Sequence, residues 1–249
     1  FPEMFEGVLS NSIIKRAISK NIVEIKVVNI RSYTKDKYGR VDTPPIGGGA
    51  GLIMKCQPIV DAIKSVSKEG THKVLLSPRG NKYSLQNAVI FSKMDDLLIV
   101  CGHYEGIDER VNEYIDELVS IGDYVLTGGE IASMAIIDSI VRLLDGAIAK
   151  ESTLEESFSD GLLEYPQYTE PYCFEGKKVP DILYSGNHDA IKKYRQRESL
   201  RLTRQYRQDL FEKYQLTNQD RKLLKEIDDG IEESDWIIKA KEKGKKFMK

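Results

Sequence analysis

The stretch LLIVCGHYEG, residues 97–106, decides the fold class, because a short apolar run leads directly into a glycine-bearing loop. Similar apolar runs alternate with segments of helical spacing over the first 148 residues: runs at 22–30, 73–77 and 121–126, and helices at 57–66, 83–94 and 131–144. Short apolar strands that alternate with helices are typical of a mostly parallel sheet. The sequence therefore predicts an α/β domain over residues 1–148.

The pattern changes after residue 148. Residues 149–161 are rich in Glu and Ser and predict an interdomain linker or lid. The chain from 162 to 249 is charged and helical, with helices predicted at 189–209 and Asn218–Asp228. We therefore expect a small, helical C-terminal domain.

Composition excludes several classes of protein. The net charge of −2 argues against a globally basic nucleic-acid binder, so any RNA-binding surface must be local. The three cysteines and three histidines show no metal-ligand spacing, and the cysteine pattern favours a reducing compartment. No apolar run approaches the roughly 20 residues of a membrane helix. We expect a cytoplasmic protein that makes no membrane contact.

Three glycine-bearing loops follow apolar runs, at residues 77–80, 101–106 and 124–130. Ligands bind at the carboxyl ends of parallel strands, so these loops could line one pocket. Glycine is also common in ordinary turns, and the pattern alone leaves both interpretations open. The glycine-rich segment 42–51 (DTPPIGGGAG) lacks the Gly-Lys-Ser/Thr of a phosphate-binding loop, which argues against a nucleotide-hydrolysing protein.

Basic residues concentrate in the helix predicted at 189–209, where Tyr194 and Tyr206 are interleaved with them. The basic set comprises Lys192, Lys193, Arg195, Arg197, Arg201, Arg204 and Arg207. Such a stripe could contact phosphates while an aromatic ring stacks on a base. A solvated amphipathic helix with internal salt bridges would show the same pattern.

Taken together, the motifs resemble one family, the bacterial tRNA (guanine-N1)-methyltransferases of the SPOUT class. The matching stretches follow the family order: FPEMF (1–5), VDTPPIGGGAG (41–51), CGHYEGIDERV (101–111), SIGDYVLTGGE (120–130), LLEYPQYTEP (162–171) and SGNHDAIKKYRQRESL (185–200). The resemblance implies a sheet closed by a deep trefoil knot. It also implies methyl transfer from S-adenosylmethionine to N1 of guanosine 37, beside the tRNA anticodon.

The resemblance also assigns the cofactor site. The adenosyl group is expected among residues of the three glycine-bearing loops: Pro78, Gly102, Tyr104, Ile121, Gly122, Tyr124, Leu126, Gly128 and Gly129. Glu105 is expected either to steer the methionine end or to help hold Mg²⁺, a second implied cofactor. The ligands of that metal are not identified.

Two residues are expected to perform the chemistry. Guanine N1 carries a proton at neutral pH, so methylation needs a carboxylate base, and the match in the linker is Glu156, where the family has Asp. Asp160 is the alternative base. The negative charge that develops on O6 needs a cation, and the match is Arg142. The chain departs from the family pattern at other positions as well: Ile46, Arg79, Ala132 and Glu170.

The resemblance further implies a homodimer with active sites at the subunit interface and a tRNA substrate bearing G36 and G37. Asp42 is expected to read a guanosine, and the basic helix is expected to grip the anticodon stem through Lys192, Arg195, Arg197 and Arg201. The alternatives are a SPOUT methyltransferase of another RNA and a catalytically weakened RNA-binding relative.

Overall fold

The computed structural model describes residues 1–149 and 156–244. The chain divides into two compact units, unit 1 (Phe1–Lys150) and unit 2 (Glu151–Lys249). The predicted linker at 149–161 lies partly outside the described residues, and residues 245–249 lie outside them as well. Within the described ranges, no helix is long and apolar enough to cross a bilayer.

Unit 1 is built around three parallel strands. Strands β1 (Asp42–Thr43) and β2 (Ile53–Met54) form a short antiparallel pair. The central sheet has the order β4–β3–β5, and both neighbours run parallel to β3. Its strands are β3 (His72–Lys82), β4 (Leu97–Val100) and β5 (Glu117–Ser120). The predicted parallel α/β architecture is confirmed.

Helices cover both faces of this sheet because successive side chains of β3 point to opposite sides. Leu75 faces a cluster with Ile59 and Ile63, whereas Val74 faces Phe91 and Ile136. The first pair belongs to α3 and the second to α4 and α5. The helices of unit 1 are α1 (Glu6–Leu9), α2 (Ser12–Ser19), α3 (Cys56–Val66), α4 (Leu85–Phe91) and α5 (Gly129–Val141).

Two predicted strands of unit 1 are wrong. Residues 22–30 form no strand, and Ile22, Val23 and Ile25 instead pack against the cluster around α2 and the end of α5. Apolar β-branched residues fit any half-buried surface, so burial here occurs without strand pairing. The strand predicted at 121–126 lies earlier, at Glu117–Ser120. The apolar pattern does not reveal this strand because it begins with the polar Glu117, whose carboxylate lies 3.3 Å from Nε2 of His72. Residues 121–128 are therefore a loop.

The described part of unit 2 contains one small hairpin and four α-helices, preceded by an irregular segment. The hairpin comprises β6 (Cys173–Phe174) and β7 (Lys177–Lys178), and the helices are α6 (His188–Tyr206), α7 (Gln208–Phe211), α8 (Asn218–Asp228) and α9 (Asp235–Gly244). Leu162 and Leu200 pack with Leu223 in one cluster. The predicted helices are confirmed. The Asn187 side chain caps α6, whereas Thr217 rather than Asn218 caps α8.

Candidate active site

The loops that follow β4 and β5 join directly through the backbone. The amide of Gly129 donates a hydrogen bond of 2.7 Å to the carbonyl of Gly102, and His103 forms an isolated bridge with Gly128. A Cβ at Gly128 would overlap both the His103 ring and the Glu130 carboxylate. Glycine is therefore required for these loops to approach each other, and they are more than ordinary turns.

The glycine-rich segment reaches the same loops. The amide of Glu105 donates to the carbonyl of Leu52 at 3.0 Å, and a Cβ at Gly51 would overlap the Glu105 side chain. Partial burial, and then the neighbouring Asp42 carboxylate, raise the pKa of the Tyr104 hydroxyl. The segment predicted at 42–51 thus packs against the loop at 101–106 and brings Asp42 to Tyr104.

The expected cofactor residues take three different positions. Pro78 lies inside β3, where the pairing with β5 shifts register between Leu76 and Asn81, so the turn predicted there is an irregularity within a strand. Gly102, Tyr104 and Glu105 follow β4. The remaining residues follow β5: Ile121, Gly122, Tyr124, Leu126, Gly128 and Gly129.

A contact between a half-buried histidine and a buried glutamate at these loops escapes sequence reasoning. Glu130 is only 6% exposed at the first turn of α5, and its carboxylate lies 3.5 Å from Nδ1 of His103. A carboxylate is favoured at a helix N-terminus, which is where Glu130 lies. The signal that could have found Glu130 is an acidic residue placed directly after Gly128-Gly129 at a helix start.

Arg142 directly follows α5 as its C-terminal cap, and its amide donates to the carbonyl of Asp138 at 3.2 Å. The residue is half-buried. Helix α5 begins at Gly129, in the loop after β5, and therefore connects that loop with Arg142, the residue predicted to stabilise the charge on guanine O6. Arg142 belongs to unit 1 and Glu156 to unit 2.

Glu156 lies in a cleft of unit 2 with a volume of about 720 Å³. It opens a tight turn in which its carbonyl accepts from the amide of Ser159 at 3.1 Å. Asp160 also lines the cleft, but its carboxylate accepts a hydrogen bond of 3.1 Å from the amide of Leu162. Both candidate bases therefore line one cleft.

Helix α6 supplies the basic wall of the same cleft through Lys192 and Arg195. The guanidinium of Arg195 lies over the ring of Tyr165, 4.5 Å from its centroid. Since Tyr165 also lines the cleft, aromatic, cationic and acidic side chains converge there. Arg201 is half-buried and forms a salt bridge of 2.7 Å with Glu198.

Arg197 is buried, unlike the basic residues of α6 that line the cleft. The side chain is buried and donates to the carbonyls of Ile231 at 2.5 Å and Glu232 at 3.3 Å. It therefore fixes the segment before α9 and is directed into unit 2. The basic stripe read from the sequence is in fact divided between the surface and the interior.

One family covers most of this architecture. The family described as tRNA (Guanine-1)-methyltransferase TrmD matches residues 1–213. The chain belongs to the tRNA (guanine-1)-methyltransferase family. This family identity accounts for the glycine-rich loops and the charged cleft within one chain.

Relatives in this family span almost the whole chain. The tRNA (guanine-N(1)-)-methyltransferase of Clostridium botulinum (strain Langeland) is 54% identical over 229 residues, or 91% of this chain and 95% of the relative. Its counterpart from Clostridium tetani is 51% identical over 226 residues, covering 90% and 94%. The counterpart from Dictyoglomus turgidum is 51% identical over 234 residues, covering 94% and 96%.

The loops of this tRNA (guanine-1)-methyltransferase family member fit an adenosyl group. Gly102, Gly128 and Gly129 lie where an added Cβ would meet Ile107, His103 and Glu130, or the backbone of Cys101, so the two loops pack closely here. Tyr124 and Val125 are exposed on the loop after β5 and offer apolar surface to a nucleobase. Burial raises the pKa of the Cys101 thiol to about 11, so this thiol stays protonated beside the loops.

The described residues offer few ligands for a metal ion. Among residues 1–149 and 156–244, no three His, Cys, Asp or Glu side chains group as metal ligands. Mg²⁺ commonly takes one or two protein carboxylates and completes its shell with water and substrate oxygens. Glu105, exposed on the loop after β4, is a carboxylate available for that role.

Proposed function

We propose that this chain transfers a methyl group from S-adenosylmethionine to N1 of guanosine 37 in tRNA that carries G36 and G37. The observation that carries the proposal is family membership, with 54% identity to a tRNA (guanine-N(1)-)-methyltransferase over 91% of the chain. The glycine-built loops of unit 1 and the charged cleft of unit 2 supply the two kinds of site that this reaction needs.

The proposed base is Glu156. Methylation of guanine N1 requires removal of its proton, and the Glu156 carboxylate accepts it as the new N–C bond forms. Glu156 lines the cleft beside the cationic wall of α6, and Asp160, which lines the same cleft, is the alternative base. The extra methylene relative to the family Asp shifts the reach of the carboxylate without changing its chemistry.

The proposed electrostatic partner is Arg142. As N1 loses its proton, negative charge develops on O6 of the guanine, and a positioned guanidinium stabilises that charge. The half-buried position after α5 reduces the freedom of the Arg142 side chain. Preorganised donors of this kind contribute more than flexible surface cations, because little reorganisation accompanies the reaction.

The cofactor residues are proposed to bind and orient. When bound, S-adenosylmethionine supplies an activated methyl group on a sulfonium centre. Residues of the loops after β4 and β5, among them Gly102, Gly128 and Gly129, would hold the adenosyl part, and Glu105 would contact the methionine end or a Mg²⁺ ion. The proposal includes the deep trefoil knot of the SPOUT class.

The RNA surface is proposed on Lys192, Arg195 and Arg201 of α6, with Asp42 of unit 1 reading a guanosine. Arg197 is left out of this surface because its guanidinium is committed to backbone carbonyls. The proposal further includes a homodimer acting in the cytoplasm, where tRNA is modified.

The test is incubation of the chain with labelled S-adenosylmethionine, Mg²⁺ and two tRNA transcripts, one with guanosines at 36 and 37 and one with adenosine at 37. Label recovered as 1-methylguanosine from the first transcript alone establishes the reaction and its target. Label in neither transcript, with cofactor binding shown by calorimetry, would support the catalytically weakened relative. Label at another position would support a different RNA target.

A further inference from the structure

The hairpin of unit 2 carries exposed side chains on a rigid support. Its turn residues, Glu175 and Gly176, both have positive φ, 48° and 80°, which is the geometry of a tight hairpin turn. The amide of Val179 donates to the carbonyl of Tyr172 at 2.8 Å and extends the pairing beyond β6 and β7. This support holds Phe174 in place although its side chain is 63% exposed.

Three aromatic rings form a row that begins at the cleft containing Glu156. Tyr184 lines the cleft, and its ring centroid lies 5.7 Å from that of Tyr172 in an edge-to-face contact. Tyr172 directly precedes β6, and its bond with Val179 extends the pairing by one residue, so Tyr172 and Phe174, two residues apart, share a face. We name Tyr184, Tyr172 and Phe174 the aromatic row. Both tyrosines are 41% exposed.

The charges around the aromatic row favour a polyanion. Phe174 is paired directly with Lys177, so the ring and the ammonium group lie on the same face. In the part of the chain that the structure describes, Lys177 and Lys178 form no ion pair. The nearby Asp181 carboxylate accepts from the Tyr172 hydroxyl at 2.7 Å and lies 3.7 Å from Lys241, which reduces its repulsion of phosphate.

We propose that the aromatic row, with Lys177, binds the unpaired nucleotides of the anticodon loop that flank the target guanosine. Bases stack on Tyr184, Tyr172 and Phe174 in turn, and Lys177 contacts the phosphate between them. Exposed aromatic rings beside cations are the common platform for single-stranded RNA. The inference rests on the proposed function, because it assumes that the target base occupies the adjoining cleft.

The test is the affinity of the full chain for a fluorescent anticodon stem–loop RNA with G36 and G37, measured for Phe174→Ala. We expect binding to weaken by roughly five- to a hundredfold, the range for loss of one base–aromatic stack. Phe174→Trp should restore it. Ile238→Ala is the matched control, since Ile238 is an exposed apolar residue of unit 2 outside the aromatic row.

A second arm locates the stack on the RNA. Replacing the nucleotide on either side of the target by an abasic residue should weaken binding to the wild type, and one of the two replacements should remove the Phe174→Ala effect. If Phe174→Ala does not fold, Lys177→Gln at the paired position should still weaken binding and reduce the salt dependence by about one released ion.

Affinity within twofold of wild type for a folded Phe174→Ala variant would overturn the inference. A change in sedimentation with unaltered RNA affinity would overturn it as well and would identify a protein–protein surface. Methyl transfer by the wild type, assayed at saturating RNA in the same preparations, reports separately on the proposed function. A wild type that binds through Phe174 but methylates nothing would leave the inference standing without that function.

Discussion

Unit 1 builds its candidate site from backbone, whereas unit 2 builds its own from side chains. In unit 1 the decisive contacts join peptide groups, such as the Gly129 amide and the Gly102 carbonyl at 2.7 Å. In unit 2 the cleft is defined by Glu156, Lys192 and the Arg195–Tyr165 stack. A site made of peptide groups depends on the positions of glycine in the sequence. A site made of side chains depends on the orientation that each side chain takes in the fold.

The largest effect is expected from Glu156→Gln, which keeps the shape of the side chain and removes the base. Turnover should fall by about 10²–10⁴-fold, because general base catalysis contributes that much, while tRNA affinity stays within a few-fold. Single-turnover methyl transfer and filter binding measure the two. Asp160→Asn is the matched control and should lower turnover only slightly. A larger loss of turnover in Asp160→Asn than in Glu156→Gln would make Asp160 the base.

Arg142→Ala should have the next largest effect. Loss of one preorganised donor to a developing negative charge costs about a hundredfold or more in turnover. Cofactor affinity by calorimetry should remain close to wild type, since Arg142 follows α5 and the cofactor loops precede it. Arg110→Ala, at an exposed position of unit 1, serves as the control. If cofactor affinity falls together with turnover, Arg142 belongs to the binding site.

Gly128→Ala tests the backbone side of the comparison. The added Cβ would overlap His103 and Glu130, so the loops must separate. We expect cofactor affinity to fall by about tenfold, equivalent to about 1.4 kcal/mol. Gly7→Ala is the matched control, because a Cβ there meets nothing within 4 Å. Equal affinities of the two variants in calorimetry would contradict a backbone-built site.

Arg197→Ala separates structure from recognition within one helix. Removing a buried guanidinium that bonds two carbonyls should lower the free energy of unfolding by about 1.5–3 kcal/mol, a typical contribution of hydrogen bonds to charged groups. Urea denaturation measures this. At temperatures where the variant is folded, tRNA affinity should change little; a large loss of affinity without loss of stability would return Arg197 to the RNA surface.

Lys192→Ala should show the converse and smallest effect. Its side chain is exposed and lines the cleft, so stability should stay within about 0.5 kcal/mol of wild type. The slope of log affinity against log salt concentration should decrease by about one, as expected for one lost phosphate contact. An unchanged slope would mean that Lys192 meets no phosphate.

The two units also differ in how far their sequences predict them. The loop after β4 was predictable because glycine directly follows an apolar run there, whereas the loop predicted at 77–80 lies inside β3. The exact position of β5 was not, since Glu117 is polar in the sequence and acquires its His72 partner only through folding. His103 and Glu130 were missed for the same reason, because their contact depends on two loops meeting.

In unit 2 the helices followed from periodicity and capping residues, but the roles of their side chains did not. Arg195 and Arg197 are two positions apart, yet one stacks on Tyr165 at the cleft and the other is buried against the segment before α9. The hairpin at 173–178 gave no sequence signal, since each of its strands has only two residues. A strand of two residues is too short to show an alternating pattern of apolar and polar residues.

The backbone construction of the loops after β4 and β5 bears on drug resistance. A small molecule seated against Gly102, Gly128 and Gly129 would contact backbone atoms, which a coding change does not remove. At Gly128 and Gly129, escape by substitution would require a larger residue where a Cβ already collides with neighbouring atoms. Target-site resistance would therefore arise more readily at the exposed Tyr124 and Val125, and a compound that avoids them would leave few positions free to vary.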